Sequence, residues 1–373
     1  MNQKKLNQRQ KRRILKNKAT KIDQQRDQTD GDLQQAIILA SYGKTAAITL
    51  DLNADSPTFI GRPRQNVGAL VSGDRVLVQF HEDDAAQSDS NQPVITIEAR
   101  LPRQNALSRA TARNITRSTT NHASPKAVAA NIDRLFIVIA PEPTPSFLQI
   151  DQYLLSATQL NIDTAIIINK VDLLARDGQQ NDEAHRLINQ ITSLYQALGY
   201  PILSTHTRST TGLQPLIDHI KAVTQRSDDH NGQTDAIGVL FGESGVGKSS
   251  LTRALLPNDT SHGQIAVGPL SKQTGRGQHT TTTSMLYPIQ GKLNFAIIDC
   301  PGMRDFLPPQ LDINQLSQGF KEIDEIAPYC RFRNCSHRHE PNCAVQKAVE
   351  QGDIARVRLE NFHYFLDTLS PPG

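Results

Sequence analysis

The sequence has no long apolar run. Its longest uninterrupted one, residues 135–140, spans six positions, against the ~20 that a membrane-spanning helix needs. That shortfall excludes a transmembrane chain. Residues 1–22 are basic, but no apolar stretch follows them, so no secretory signal is expected. Cysteine is scarce too. Four in 373 residues cannot build a disulfide framework, and three of them crowd between positions 330 and 343. Clustered cysteines in a cytosolic chain bind metal more often than they bridge. Acidic residues are missing from residues 1–22, which hold nine Lys and Arg; with a net charge of +3 overall, the remainder stands at −6. The basic character therefore belongs to a tail. A hydrophobic fraction of 37% is enough for packed cores carrying polar tails or loops. These absences leave a cytoplasmic, multidomain protein, monomeric by default, with two or three domains at roughly 150 residues each.

The organisation changes along the chain. Residues 1–33 form a basic tail with too few large apolar side chains to fold alone. Residues 34–103 carry four or five short strands with period-two alternation and no helical periodicity, which predicts a small antiparallel barrel, interrupted by a polar insertion at 82–92. A polar, basic stretch at 104–127 reads as a linker. From 128 to 308, short β-branched runs (135–140, 165–168, 202–203, 238–241, 295–298) alternate with helical stretches (147–160, 183–198, 213–225, 248–256), the pattern of a parallel α/β sheet. Residues 309–373 hold the Cys/His cluster and two helical stretches.

Chemistry concentrates in four places. Gly242-Glu243-Ser244-Gly245-Val246-Gly247-Lys248-Ser249 matches G-x-x-x-x-G-K-[ST] between a strand and a helix, the context of a phosphate loop. Its glycines let successive N–H groups face phosphates, Lys248 adds a point charge, and Ser249 offers a hydroxyl to Mg²⁺. Asn169-Lys170-Val171-Asp172 follows a strand. The Asp172 carboxylate suits the guanine N1–H and 2-amino donors, which adenine lacks, and Asn169 is expected to hold the base through O6 and N7. Asp299-Cys300-Pro301-Gly302 follows another strand, placing Asp299 near Mg²⁺ and the Gly302 N–H near the γ-phosphate. A Thr from Thr280-Thr281-Thr282-Thr283 completes the Mg²⁺ hydroxyls. Cys330, Cys335, His337 and Cys343 form C-x₄-C-x-H-x₅-C, the ligand set of a closed structural Zn²⁺ site; His339 competes with His337 by spacing. The guanine motif and a base-loop segment (Ser204-Thr205-His206) precede the phosphate loop, so the nucleotide domain is circularly permuted.

In that order these motifs resemble the circularly permuted, ribosome small-subunit-dependent GTPases (the RsgA family, also called YjeQ), with the match running over roughly residues 35–365. The resemblance implies an OB-fold barrel, a permuted P-loop GTPase domain and a small helical zinc domain. It implies GTP hydrolysis stimulated by the small (30S) ribosomal subunit, binding of that subunit and its rRNA, and a role in its late maturation. By residue, it implies GTP or GDP contacts at Asn169 through Asp172 and at Gly242 through Ser250, and zinc at Cys330, Cys335, His337 and Cys343. It also implies a catalytic role for His279 and Mg²⁺ binding by Thr281. Met303 stands where many GTPases place the Gln that orients water, which leaves that task to His279. Cys300 and the 82–92 insertion depart from the family pattern. The competing reading is a GTP-sensing, rRNA-binding module without significant hydrolysis. An ATPase is disfavoured by Asp172.

Overall fold

The computed structural model describes residues 33–81, 94–109, 126–174, 179–225, 235–256, 284–290, 293–299 and 313–369. The basic tail, the 82–92 insertion, His279, the threonines 280–283, Cys300, Gly302 and Met303 lie outside the described residues.

Five strands close the barrel: β1 (Gln34–Ser41), β2 (Ala46–Thr49), β3 (Phe59–Pro63), β4 (Arg75–His81) and β5 (Val94–Arg100). Their order is β1-β2-β3-β5-β4, with β4 returning to β1. Only the β3–β5 pair is parallel, which is the wiring of an OB-fold barrel. Alternation along β1 explains its apolar run. Ala36 and Ile38 point into the barrel with Ile48, Val76, Val78, Ile95 and Ile97. Ile37, Leu39 and Ala40 point outward and join the core of the next domain.

Part of the expected linker is strand. β6 (Ala106–Arg109) pairs antiparallel with β7 (Lys126–Ala130). Leu107, Ala129 and Ala130 are buried, while the Asn105 side chain accepts from Ile132 N and donates to Ile132 O, both at 2.8 Å. A few buried side chains and amide clamps order a stretch whose average composition is polar.

The nucleotide domain is built on β8 (Arg134–Ile139), β9 (Asp163–Ile168), β10 (Ile202–Ser204), β11 (Ala236–Phe241), β12 (Met285–Pro288) and β13 (Phe295–Asp299), ordered β10-β9-β8-β11-β13-β12. All pairs are parallel except β12–β13. Helices α1 (Phe147–Leu160), α2 (Gln179–Ala197), α3 (Gln214–Gln225) and α4 (Lys248–Leu255) cover it. Successive strand residues face opposite sides, so the sheet feeds two cores. Leu135, Ile137, Ile166, Ile168, Val239 and Phe241 pack under α1 and α2. Phe136, Val138, Ala165 and Ile167 pack under α3 and α4. The parallel strands end along one edge, where such sheets bind ligands.

Helices α5 (Ile313–Gln318), α6 (Lys321–Ile326), α7 (Ala344–Gln351) and α8 (Arg356–Leu369) form the C-terminal unit. Its core of Leu316, Phe320, Ile323, Val345, Val349, Phe362 and Phe365 includes Leu155 from α1. Beside it Asp151 of α1 is completely enclosed. Its carboxylate accepts from Arg358 (2.5 Å), Tyr195 (2.6 Å) and Asn361 (2.6 Å), and Arg358 also pairs with Glu322 at 2.5 Å. Among the described residues, no helix is long and apolar enough to cross a membrane.

Candidate nucleotide and metal sites

β11 delivers the chain into the phosphate loop, and α4 begins at Lys248. Two glycines are required by contact as well as by conformation. Gly242 (φ +148°) has no room for a Cβ, which would sit 2.1 Å from Val138 O. Gly247 (φ +98°) would place one 2.3 Å from Asn169 Nδ2. Val246 anchors the loop in the core under α3 and α4, while Ser244, Gly245, Ser249 and Ser250 are exposed and Glu243 is half-buried. The Lys248 ammonium curls over the loop, donating to Gly242 O (2.7 Å) and Glu243 O (2.6 Å). Asp299, at the end of β13, is close enough for Lys248 to pull its carboxyl down. Crowding by the surrounding protein outweighs that and raises the carboxyl above the usual range.

The guanine motif is folded onto this loop. Asn169 is buried at the end of β9; its Nδ2 donates to Val246 O at 2.9 Å and its Oδ1 accepts from Thr205 Oγ1 at 3.1 Å. Lys170, in the left-handed region (φ +59°), donates to Gly245 O at 2.6 Å. Val171 N donates to Thr205 O at 3.2 Å. Asp172 lies in the short turn Val171–Leu173, where its carboxylate meets Arg208 Nε at 2.8 Å. Ser204 is exposed at the tip of β10, in register with Ile168. Asn169, which the sequence reading puts on the base, also joins the phosphate loop to the base loop through its amide. Thr205 was expected only as part of the base-loop segment, with no partner named, and Arg208 was not singled out from the sequence. A hydroxyl and a cation in a polar loop carry no periodic signal, and only the fold brings them to the motif.

The second site lies in the C-terminal unit. The ligand atoms of Cys330, Cys335, His337 and Cys343 all fall within 4.8 Å of one another. Cys330 Sγ is 3.8 Å from Cys343 Sγ and 3.6 Å from His337 Nδ1, and Cys343 Sγ is 3.5 Å from the same nitrogen. A tetrahedron with ~2.3 Å metal–sulfur and ~2.0–2.1 Å metal–nitrogen bonds has edges of about 3.8 Å and about 3.6 Å. The donor set therefore fits a metal ion. Burial lowers the His337 pKa, favouring the neutral ring a ligand needs, and pushes the Cys335 thiol up to about 12. His339 lies outside this group, with its backbone N–H given to Glu340. Cys343 also caps α7, accepting from Gln346 N at 3.4 Å.

A phosphate loop at the carboxyl edge of a parallel sheet, with its guanine motif earlier in the chain, defines a circularly permuted P-loop GTPase. Residues 100–307 match the family described as RsgA GTPase. The chain is 34% identical over 391 residues to the small ribosomal subunit biogenesis GTPase RsgA of Alcanivorax borkumensis, covering 100% of this chain and 98% of that one. It is 35% identical over 377 residues to the protein of the same description from Saccharophagus degradans, covering 99% and 98%. The crystal structure of YjeQ from Thermotoga maritima superposes with a TM-score of 0.63 at 25% identity, covering 92% of this chain and 100% of that one. The fold of YloQ, described as a circularly permuted GTPase, matches with a TM-score of 0.60. This chain belongs to the RsgA GTPase family.

Proposed function

We propose that this GTPase acts in small ribosomal subunit biogenesis, in the cytoplasm, binding the 30S subunit and its rRNA late in maturation and hydrolysing GTP faster when bound. One observation carries the nucleotide assignment: the guanine motif is clipped to the phosphate loop through Asn169–Val246 and Lys170–Gly245. Base recognition and phosphate binding thus share one rigid seam. The backbone N–H groups of residues 243–249 cradle the phosphates, and Lys248 exchanges its two carbonyl partners for β- and γ-phosphate oxygens. Asp172, helped by Ser204 on the base loop, accepts from the guanine. Ser249, Thr281 and Asp299 would hold the Mg²⁺ that neutralises charge on the phosphates, and the Gly302 N–H meets the γ-phosphate. His279 orients the attacking water or takes its proton. Zinc would be held by Cys330, Cys335, His337 and Cys343 as a structural ion that neutralises the thiolates.

Single-turnover hydrolysis of GTP and ATP, each with and without small subunits, tests the reading. GTP alone should be hydrolysed, and faster with subunits. GTP binding without hydrolysis in either condition would leave a sensing module, and equal use of ATP would remove Asp172 from base selection.

A further inference from the structure

The metal cluster pins a short loop whose outer face is unlike the rest of the C-terminal unit. Between Cys330 and Cys335 stand Arg331, Phe332, Arg333 and Asn334, and Tyr329 precedes the first ligand; all five are exposed. Tyr329 is 79% exposed and Phe332 40%. A single exposed ring is ordinary, but two rings interleaved with two arginines in five residues are not explained by packing. The Arg331 guanidinium lies 5.5 Å from the centroid of the Phe332 ring. Among the described residues neither Arg331 nor Arg333 has an ion pair. Glu340, the acid within the metal-binding segment, is occupied by Ser336 N and Oγ, Arg338 N and His339 N. Asp324 and Glu325, exposed on α6, pair with neither arginine.

The loop is held at both ends. Cys330 N donates to Ala327 O at 3.0 Å and Cys335 N to Phe332 O at 3.3 Å, and both thiols sit in the ligand cluster. The rings are therefore presented by backbone ordered during folding, so binding need not order it again.

We propose that Tyr329 and Phe332 form a stacking platform for unpaired bases of single-stranded RNA, with Arg331 and Arg333 contacting the flanking phosphates. The proposal rests on the reading that this chain engages rRNA and specifies what one of its surfaces grips. Aromatic faces accept any base, and stacking on them is sequence-tolerant. In an A-form duplex the base faces are already stacked on one another, so the platform selects loops, bulges and ends. Tyr329 and Phe332 stand three positions apart, so their Cα atoms are at most about 11 Å from each other, close enough for one strand to meet both rings. No aliphatic side chain other than Pro328 lies within residues 328–334, which disfavours an apolar protein partner.

The chain has no tryptophan, so Tyr329→Trp places a lone indole at the platform. In the full-length, metal-loaded protein, its fluorescence should be quenched by a short single-stranded RNA and little changed by a hairpin duplex of the same composition. Tyr329→Ala and Phe332→Ala should each weaken single-strand affinity at least about fivefold, whereas Phe332→Tyr should retain it. The metal content of all variants should equal that of the parent. Equal quenching by duplex and single strand, or alanine variants that bind RNA like the parent, would overturn the proposal. Loss of small-subunit affinity with unchanged RNA affinity would also overturn it and assign the rings to a ribosomal protein. If the parent chain itself binds neither small subunits nor RNA, the rRNA reading fails along with it.

Discussion

Asp172 is where the proposed base specificity turns on a single carboxylate. In this structure that carboxylate meets Arg208 Nε at 2.8 Å, in a pair whose arginine is mostly in water. An exposed pair of this kind contributes little, so replacing Asp172 should act almost wholly through the base. Asp172→Asn converts one acceptor oxygen into a donor. GTP affinity should fall by about 10- to 100-fold, the scale of a hydrogen bond to a charged group. Xanthosine triphosphate, whose 2-oxo group is an acceptor, should bind better than it does to the parent. Competition binding with both nucleotides measures this, and an unchanged preference would remove Asp172 from the base pocket. At this scale the sequence was legible where a residue type is chemically forced. Gly242 and Gly247 could be read because no other residue tolerates such close backbone approach. The tie from Asn169 to Val246, 77 positions away, could not be read, because its motif names the residue but not that partner.

Elements with a strong period were equally legible. The helix expected over 147–160 is α1 to the residue, and the buried runs at 135–140, 165–168 and 238–241 all became central strands. The strands that escaped notice lack that signal. β3 contains Gly61 and ends on Pro63, β12 is four residues long, and β6 and β7 sit in a stretch that averages as polar. In the metal-binding segment, composition told more than periodicity. Turns at His337 and Asn342, both with positive φ, fold the four candidate ligands together, and a bound metal would supply the stability that so small a unit lacks. Such sites contribute ~10–16 kcal/mol in zinc-finger peptides. Removing the ion with a chelator should abolish amide-exchange protection across residues 327–343 while leaving GDP affinity within a few-fold. The phosphate loop rests on the core under α3 and α4, and the C-terminal unit rests on α1 across the sheet. Because burial holds the Cys335 thiol up near 12, metal uptake must release protons, and affinity should fall as pH falls. A GDP affinity that collapsed with the metal would show that the two sites share one core.

Across the whole molecule, the three units are joined by polar seams that no local pattern announces. Arg358 reaches from α8 to Asp151 on α1 and Glu322 on α6, and it also lies 4.2 Å over the Phe320 ring. Arg358→Met would leave the fully enclosed Asp151 and the partly exposed Glu322 without their cation. The expected cost is ~3–5 kcal/mol in denaturant unfolding, and a loss below about 1 kcal/mol would mean the network is not what fastens the C-terminal unit. On the other side, Ser72 of the barrel sits 2.6 Å from Ser284 O, just before β12, and Leu52 N donates to Asp235 at 3.3 Å. Strand β1 takes the joining furthest, because it has no spare face: one set of its side chains fills the barrel and the other fills the nucleotide domain. The units are therefore not modules that recombine freely. A barrel cleaved from its neighbour would carry Ile37, Leu39, Ala40, Ala47 and Leu52 into water as an adhesive patch, the kind of surface through which isolated fragments self-associate. Selection acting on either unit acts, through this strand, on both.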